Sequence, residues 1–134
     1  MDQAGAERVA RKLIAFLESG EAEPTLFTED AFCDFTSPRW RVQAEGRAQV
    51  LRLRTQGHPC VGQVPRFRCD PTPSGFVLEV EEEWVQDGKA WYCRELFRAD
   101  VRAESIASLS VYCTGDWDAA RRAEHAREVC LLRP

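Results

Sequence analysis

The chain has no long apolar run. Nowhere do its 134 residues approach the roughly 18 consecutive apolar positions a membrane span needs, so no membrane partner is expected. It has no basic excess either: 18 lysines and arginines stand against 22 aspartates and glutamates, a formal charge of −4, which offers no general attraction to nucleic acid. The start, Met1-Asp2-Gln3-Ala4-Gly5, lacks the basic and apolar regions of a signal peptide, and a cytoplasmic protein is expected. Metal-ligand spacing is missing as well. The six cysteines (Cys33, Cys60, Cys69, Cys93, Cys113, Cys130) come no closer than nine positions and form no CxxC motif. No metal site is therefore expected, and buried thiols are favoured over disulfides.

What is present is a packable core. The 44% hydrophobic content, with four tryptophans and seven phenylalanines, fits one folded domain over residues 1–134. Val9, Ala10, Leu13, Ile14 and Leu17 share one helical face, predicting a helix from Glu7 to Glu18 that Ser19-Gly20 ends. A short second helix is expected from Pro24 to about Thr28, since proline suits a first helical turn. "AFCDFTS" then alternates as a short strand, "WRVQAEG" reads as a second extended piece, and "RAQVLRLRTQ" as a helix opened by Gly46 and closed by Gly57. From Val61 onward the pattern is sheet: "VPRFRCDP", "GFVLEVEEEWV", "AWYCRELFRADV" and "SIASLSVYC" are separated by turn residues. Helices followed by a four-stranded meander imply an α+β domain with helices on one face of a curved antiparallel sheet. The tail "TGDWDAARRAEHAREV" suits a short helix capped by Thr114 or Asp116.

The Asp87-Gly88 pair between alternating segments is a strong hairpin signal, because both central residues of the tight turn take positive φ. A two-residue loop sets the register, placing Trp84 opposite Trp91, Glu82 opposite Cys93, Glu81 opposite Arg94 and Val80 opposite Glu95. Side chains alternate between faces. One face thus carries Phe76, Leu78, Val80, Glu82 and Trp84 with Trp91, Cys93, Glu95 and Phe97, and is apolar except for two acids. The other carries Glu79, Glu81 and Glu83 against Tyr92, Arg94 and Arg98, with a Glu81–Arg94 ion pair expected.

Glu82 and Glu95 are diagonal neighbours on the apolar face. A carboxylate there needs a partner or a shifted pKa, so they either serve structure by bonding a buried arginine or hydroxyl, or face a partly wet pocket. The wall of such a pocket would come from Phe76, Leu78, Val80, Trp84, Trp91, Cys93 and Phe97, with Leu109, Val111 and Cys113 on the last strand. Trp40 in "SPRWR" would pack over a ligand as part of a lid, or belong to a packed loop whose arginines pair with surface acids. Asp34 would enter the pocket mouth as a base, or bond the following turn. His58 would cap the helix before it or act in catalysis, His125 would be solvated or close the cavity mouth, Tyr112 would face outward in sheet packing or a dimer contact rather than touch ligand, and Asp116 would cap the tail helix or enter the pocket.

These elements resemble the nuclear transport factor 2-like superfamily, which includes ketosteroid isomerases, limonene epoxide hydrolases and SnoaL-type polyketide cyclases. The carriers are the amphipathic first helix, "LFTEDAFCDF", "EGRAQV" and "RELFRADV" with "IASLSVYCTGDWD". The resemblance implies a cone formed by a curved antiparallel sheet wrapped around N-terminal helices, an internal apolar pocket, and a homodimer. By that resemblance Glu95 falls at the acid that donates to an oxyanion in the isomerases. The isomerase tyrosine falls at Leu13, and the aspartate base at Phe35, beside Asp34. The Asp, Arg, Asp relay of the epoxide hydrolases has no counterpart in the first part of the hairpin. The expectation is a small-molecule-binding SnoaL-like protein with an apolar ligand, an isomerase, cyclase or hydrolase that needs no redox cofactor. In it Glu95 is neutral and donates, while Glu82 or Asp34 moves the proton. The alternative is a non-catalytic binding or assembly module of the same fold.

Overall fold

Helix α1 (Gln3–Ser19) begins earlier than the apolar periodicity because Asp2 caps it, its carboxylate accepting the Gly5 N–H at 2.8 Å. It buries Val9, Ala10, Leu13, Ile14, Phe16 and Leu17. Gly20, at φ 74°, closes it through an N–H to Phe16 O. The computed structural model describes every residue, Met1–Pro134.

The expected helix at Pro24 does not form. The Leu26 N–H bonds to Glu23 O at 3.0 Å in a tight turn, because proline pre-sets φ equally well for the second position of a turn. The chain then enters β1 (Phe27–Thr36), β2 (Arg41–Glu45), α2 (Arg47–Gly57), β3 (Gly62–Pro71), β4 (Gly75–Gln86), β5 (Lys89–Arg102), β6 (Ser105–Cys113), the two-residue β7 (Trp117–Asp118) and α3 (Ala119–Glu128).

The strand order is β2-β1-β6-β5-β4-β3, with β7 beside β5, and the edges never meet. The sheet is mixed rather than wholly antiparallel, because β1 runs parallel to β6. Its other side is already taken by the antiparallel partner β2. The meander β3 to β6 follows the expected order, and the β4–β5 register pairs Trp84 with Trp91, Glu82 with Cys93 and Val80 with Glu95. Asp87 and Gly88 both take positive φ, 52° and 72°, as the tight hairpin requires. On the outer face Glu81 does lie opposite Arg94, but the guanidinium reaches diagonally to Glu79 and stays 3.9 Å from Glu81. The expected Glu81–Arg94 pair is thus present but long, and Glu81 also accepts the Tyr92 hydroxyl at 2.8 Å.

Helix α1 lies across β3 and β4, and the interior between them holds Leu13, Leu26, Phe76, Leu78 and Ile106, all fully buried. Tail helix α3 is capped by Asp118, which accepts the Arg121 N–H at 2.8 Å, not by Thr114 or Asp116. Thr114 is engaged elsewhere, its hydroxyl accepting the Arg94 N–H at 3.0 Å.

Gly57 departs from the expected role as a left-handed closing residue. It lies inside α2, outside the positive-φ glycines, and the cap is His58, whose N–H bonds to Arg54 O at 2.8 Å. A Cβ at Gly57 would meet nothing within 4 Å. Gly57→Ala should therefore stabilise the fold by about 0.4–1 kcal/mol in urea denaturation, whereas a left-handed Gly57 would make the same change destabilising.

Candidate functional site

Helix α2 positions the site because Val50, Arg54 and His58 recur every four residues and so share one face. That face looks onto the concave side of β5 and β6, and the space left between them is a cavity of about 710 Å³. Its size is typical of small-molecule sites. Leu13, Phe16 and Leu17 of α1, Cys33 and Phe35 of β1, and Phe97, Leu109 and Val111 of β5 and β6 make it largely apolar. The polar groups on its wall are few: Arg54, His58, Cys93, Glu95, Cys113 and Asp116 among them.

Of the residues singled out in the sequence, Glu95, Cys93, Phe97, Leu109, Val111, Cys113 and Trp40 line this cavity. Phe76, Leu78 and Val80 share the same sheet face but lie outside it, at most 1% exposed, because α1 covers that part of the sheet. Trp84 is also outside, its ring packed edge-on against His58 at 4.3 Å. Trp91 stands farther toward the hairpin tip, opposite Asp118 of β7. Glu82 is buried behind Arg54 rather than on the cavity wall.

Asp34 does not enter the mouth. It alternates with Cys33 and Phe35, so its side chain leaves the cavity side, and Arg41 holds it through bonds of 3.0 and 2.6 Å. The Arg41 hydrogen bonds keep the Asp34 carboxyl below the usual carboxylate range. Asp34 is thus paired outside the cavity lining rather than set at its mouth. At the rim, Ser37 and Trp40 close a turn through Ser37 N–H to Trp40 O at 2.8 Å, and Arg39 stacks over the Trp40 ring.

The electrostatic centre is one arginine between two buried carboxylates. Arg54 bonds Glu82 at 2.6 Å and 3.4 Å, and lies 3.6 Å from Glu95. It also donates to Leu17 O at 3.3 Å. Glu82 and Glu95 are 4% and 5% exposed, so a second negative charge would have no counter-ion. Burial, then the hydrogen bond and charge of Glu82, push the Glu95 carboxyl well above its ordinary range. Burial would raise Glu82 too, but the hydrogen bond from Glu95 and the charge of Arg54 outweigh it and hold Glu82 low. Glu95 is thus the protonated member and Glu82 the ionised one.

Cys93 lies 3.7 Å from Glu82 Oε2 and 3.8 Å from Glu95 Oε1. Its thiol is raised by hydrogen bonding to Cys113 and by burial, while the same hydrogen bond, helped by the Gly115 N–H, lowers Cys113 against the effect of burial. The donor atoms of Cys93, Glu95 and Cys113 lie within 4.8 Å of one another, a spacing a thiophilic ion would accept. Arg54 already supplies the positive charge beside Glu95.

Two cavity residues were not expected to centre the site, although His58 was a lesser catalytic candidate beside its capping role. Arg54 looked like one of several surface arginines of α2, and His58 like a helix cap; their four-residue spacing, facing the same way as Val50, was the available signal. Burial and the Arg54 charge lower the His58 pKa, and neither ring nitrogen has a hydrogen-bond partner.

Arg54→Met should leave Glu82 buried and unpaired, costing about 3–5 kcal/mol in chemical denaturation. Adding Glu82→Leu should recover much of that loss. A single-variant loss below about 1 kcal/mol would show that the pair is not a buried one.

No protein-family model and no curated protein matches the sequence. Solved structures do match in fold. A nuclear transport factor 2-like (NTF2-like) protein from Anabaena variabilis superposes with TM-score 0.68 at 21% identity, over 87% of this chain and 94% of that one. An NTF2-like protein of unknown function from Burkholderia xenovorans gives 0.58 at 18% identity, over 97% of both chains. A protein with a ketosteroid isomerase-like fold from Catenulispora acidiphila, solved in complex with trimethylamine, gives 0.63 at 15%, over 79% and 85%. The chain has the nuclear transport factor 2-like fold, an α+β cone of helices and a curved, unclosed sheet.

Proposed function

We propose that the cavity binds an apolar small molecule bearing a carbonyl group and that the protein catalyses its isomerisation or cyclisation without a redox cofactor. The observation that carries this reading is the single arginine shared by two buried carboxylates. It leaves Glu95 protonated on the wall of an apolar cavity, where a neutral acid donates to an oxygen on which negative charge develops. Glu82 does not touch the ligand in this reading. It holds Glu95 neutral, and Arg54 keeps Glu82 charged.

A second reading, a binding module without turnover, has its own support. Asp34 is bound outward by Arg41, and Leu13 and Phe35, the positions at which the resemblance sets the isomerase tyrosine and aspartate, are apolar residues of the cavity wall. The two readings part on Glu95→Gln. An enzyme should lose about 10²–10³-fold in the rate of solvent deuterium entry at the carbon beside the carbonyl, with ligand affinity little changed. A binding module should show no such exchange in either form.

The same proton governs stability. Glu95 has a folded pKa above its unfolded one, so its contribution is fully present below the ordinary carboxylate value and is lost as pH rises through the folded value. Glu82, with its pKa lowered, contributes above the ordinary value and loses that as pH falls. The groups facing Glu95 are Glu82 of β4, Cys93 of β5, Cys113 of β6 and Arg54 of α2. Urea denaturation from about pH 5 to about pH 9 should show wild-type stability falling at the alkaline end. Glu95→Gln should flatten that fall; a wild-type profile already flat would place the proton elsewhere.

A further inference from the structure

We propose that Cys113 is a nucleophile of this cavity and that its substrates are α,β-unsaturated carbonyl compounds, to whose β-carbon its sulfur adds while Glu95 protonates the carbonyl oxygen. This rests on the reading of Glu95 as the neutral donor.

The cysteines are not equivalent. Cys69 and Cys93 are buried, and Cys33, although on the cavity wall, is 3% exposed, with its thiol pushed up to about 12 by burial. Cys113 lies at the end of β6, half-buried, on the cavity wall. There Gly115, at φ 80°, turns the chain so that its N–H points back at the Cys113 sulfur, 3.4 Å away. The Cys93 sulfur, by contrast, lies against Glu82 and Glu95 at 3.7 and 3.8 Å. A backbone N–H aimed at the Cys113 sulfur favours its thiolate, the form that attacks.

Cys93 and Cys113 are not poised as a disulfide. The residue opposite Cys113 is Glu95, so Cys93, two positions away, is its diagonal neighbour. Diagonal residues stand roughly 7–8 Å apart, beyond the span a disulfide closes without backbone movement.

The register also explains the substrate class. Sulfur and carboxylic acid sit on directly opposed residues, with donor atoms within 4.8 Å. A conjugated carbonyl presents an electrophilic carbon and a basic oxygen at a similar separation, and the apolar wall suits its hydrocarbon body. The Cys113 sulfur forms a bond to the β-carbon. The C=C pair shifts toward the carbonyl carbon, and the carbonyl pair moves to oxygen, which takes the Glu95 proton. The product is a thioether enol, with no net oxidation and no leaving group. Glu95 is now a carboxylate beside ionised Glu82, so repulsion favours return of the proton, expulsion of sulfur and recovery of the double bond. Rotation before expulsion exchanges its cis and trans forms.

The test uses the intact reduced protein and two reagents, cinnamaldehyde and iodoacetamide, with peptide mapping by mass spectrometry after borohydride quenching. One cinnamaldehyde adduct per chain is expected, at Cys113 and faster than at exposed Cys130. Glu95→Gln should slow cinnamaldehyde addition at Cys113 by about 10²-fold while leaving iodoacetamide alkylation there little changed, since displacement of iodide needs no proton donor. Labelling that favours Cys130 over Cys113 with both reagents overturns the nucleophile assignment, and the wild-type map suffices to show it. Equal cinnamaldehyde rates in wild type and Glu95→Gln overturn instead the role of Glu95 on which it stands.

Discussion

The structure of this cavity depends on a shortage of positive charge. Two carboxylates are buried on one sheet face, and one guanidinium answers them. Two carboxylates and one arginine cannot all be charged in a low-dielectric interior without leaving a net charge there. The neutral solution is Glu82 ionised, Arg54 cationic and Glu95 protonated, and the geometry selects it: Arg54 is at 2.6 Å from Glu82 but 3.6 Å from Glu95. A proton is thus stored on the carboxyl that faces the cavity. The same pair docks α2 against the sheet, since Arg54 comes from the helix and Glu82 from β4, with the Leu17 carbonyl of α1 bound to the same guanidinium.

That docking divides one sheet face into two regions with different fates. Where α1 crosses β3 and β4, Phe76, Leu78 and Val80 interlock with helix side chains and no space remains. Where α2 stands off β5 and β6, the same kind of alternating apolar strand forms the wall of a cavity. Burial and pocket lining are thus decided by which helix covers a strand, not by the strand's own pattern. The break after β6 completes the cavity. Gly115 ends the strand, brings Asp116 to the wall and lets β7 resume pairing with β5 at Trp91 and Tyr92.

Local chemistry made much of this readable. The Asp87-Gly88 turn demanded positive φ, which set the register, which in turn placed Glu82 and Glu95 inward and Glu81 and Glu83 outward; each step follows from the step before. Reading ended where contacts become non-local. Nothing in the period of β1 reveals that it lies parallel to a strand some 75 residues later. Pro24 satisfies a turn and a helix start alike, so its neighbours decided. Arg54 was the largest omission: an arginine on a helix of low apolar content is indistinguishable from a surface residue until the helix is laid on the sheet. A buried arginine is an expected partner for two inward acids, but nothing local in the sequence distinguishes Arg54 from the others.

Leu13 of α1 and Phe35 of β1 both line the cavity. Apolar side chains on those walls leave polar contact with a ligand mainly to β5, β6 and the end of α2. A ligand would then be oriented from one side, against an apolar body on the others. Such an arrangement demands precision of the polar side, and the backbone supplies it: Glu95 and Cys113 are direct partners on a hydrogen-bonded ladder. Their separation is set by strand spacing more than by long flexible side chains, and sites built on strands hold geometry better than sites on loops. Arg54 adds the remaining constraint by fixing Glu82, and through it the direction in which the Glu95 proton can be shared. With Leu13 and Phe35 apolar, Glu95 and Cys113 are ionisable groups of the cavity wall gathered on two adjacent, paired strands.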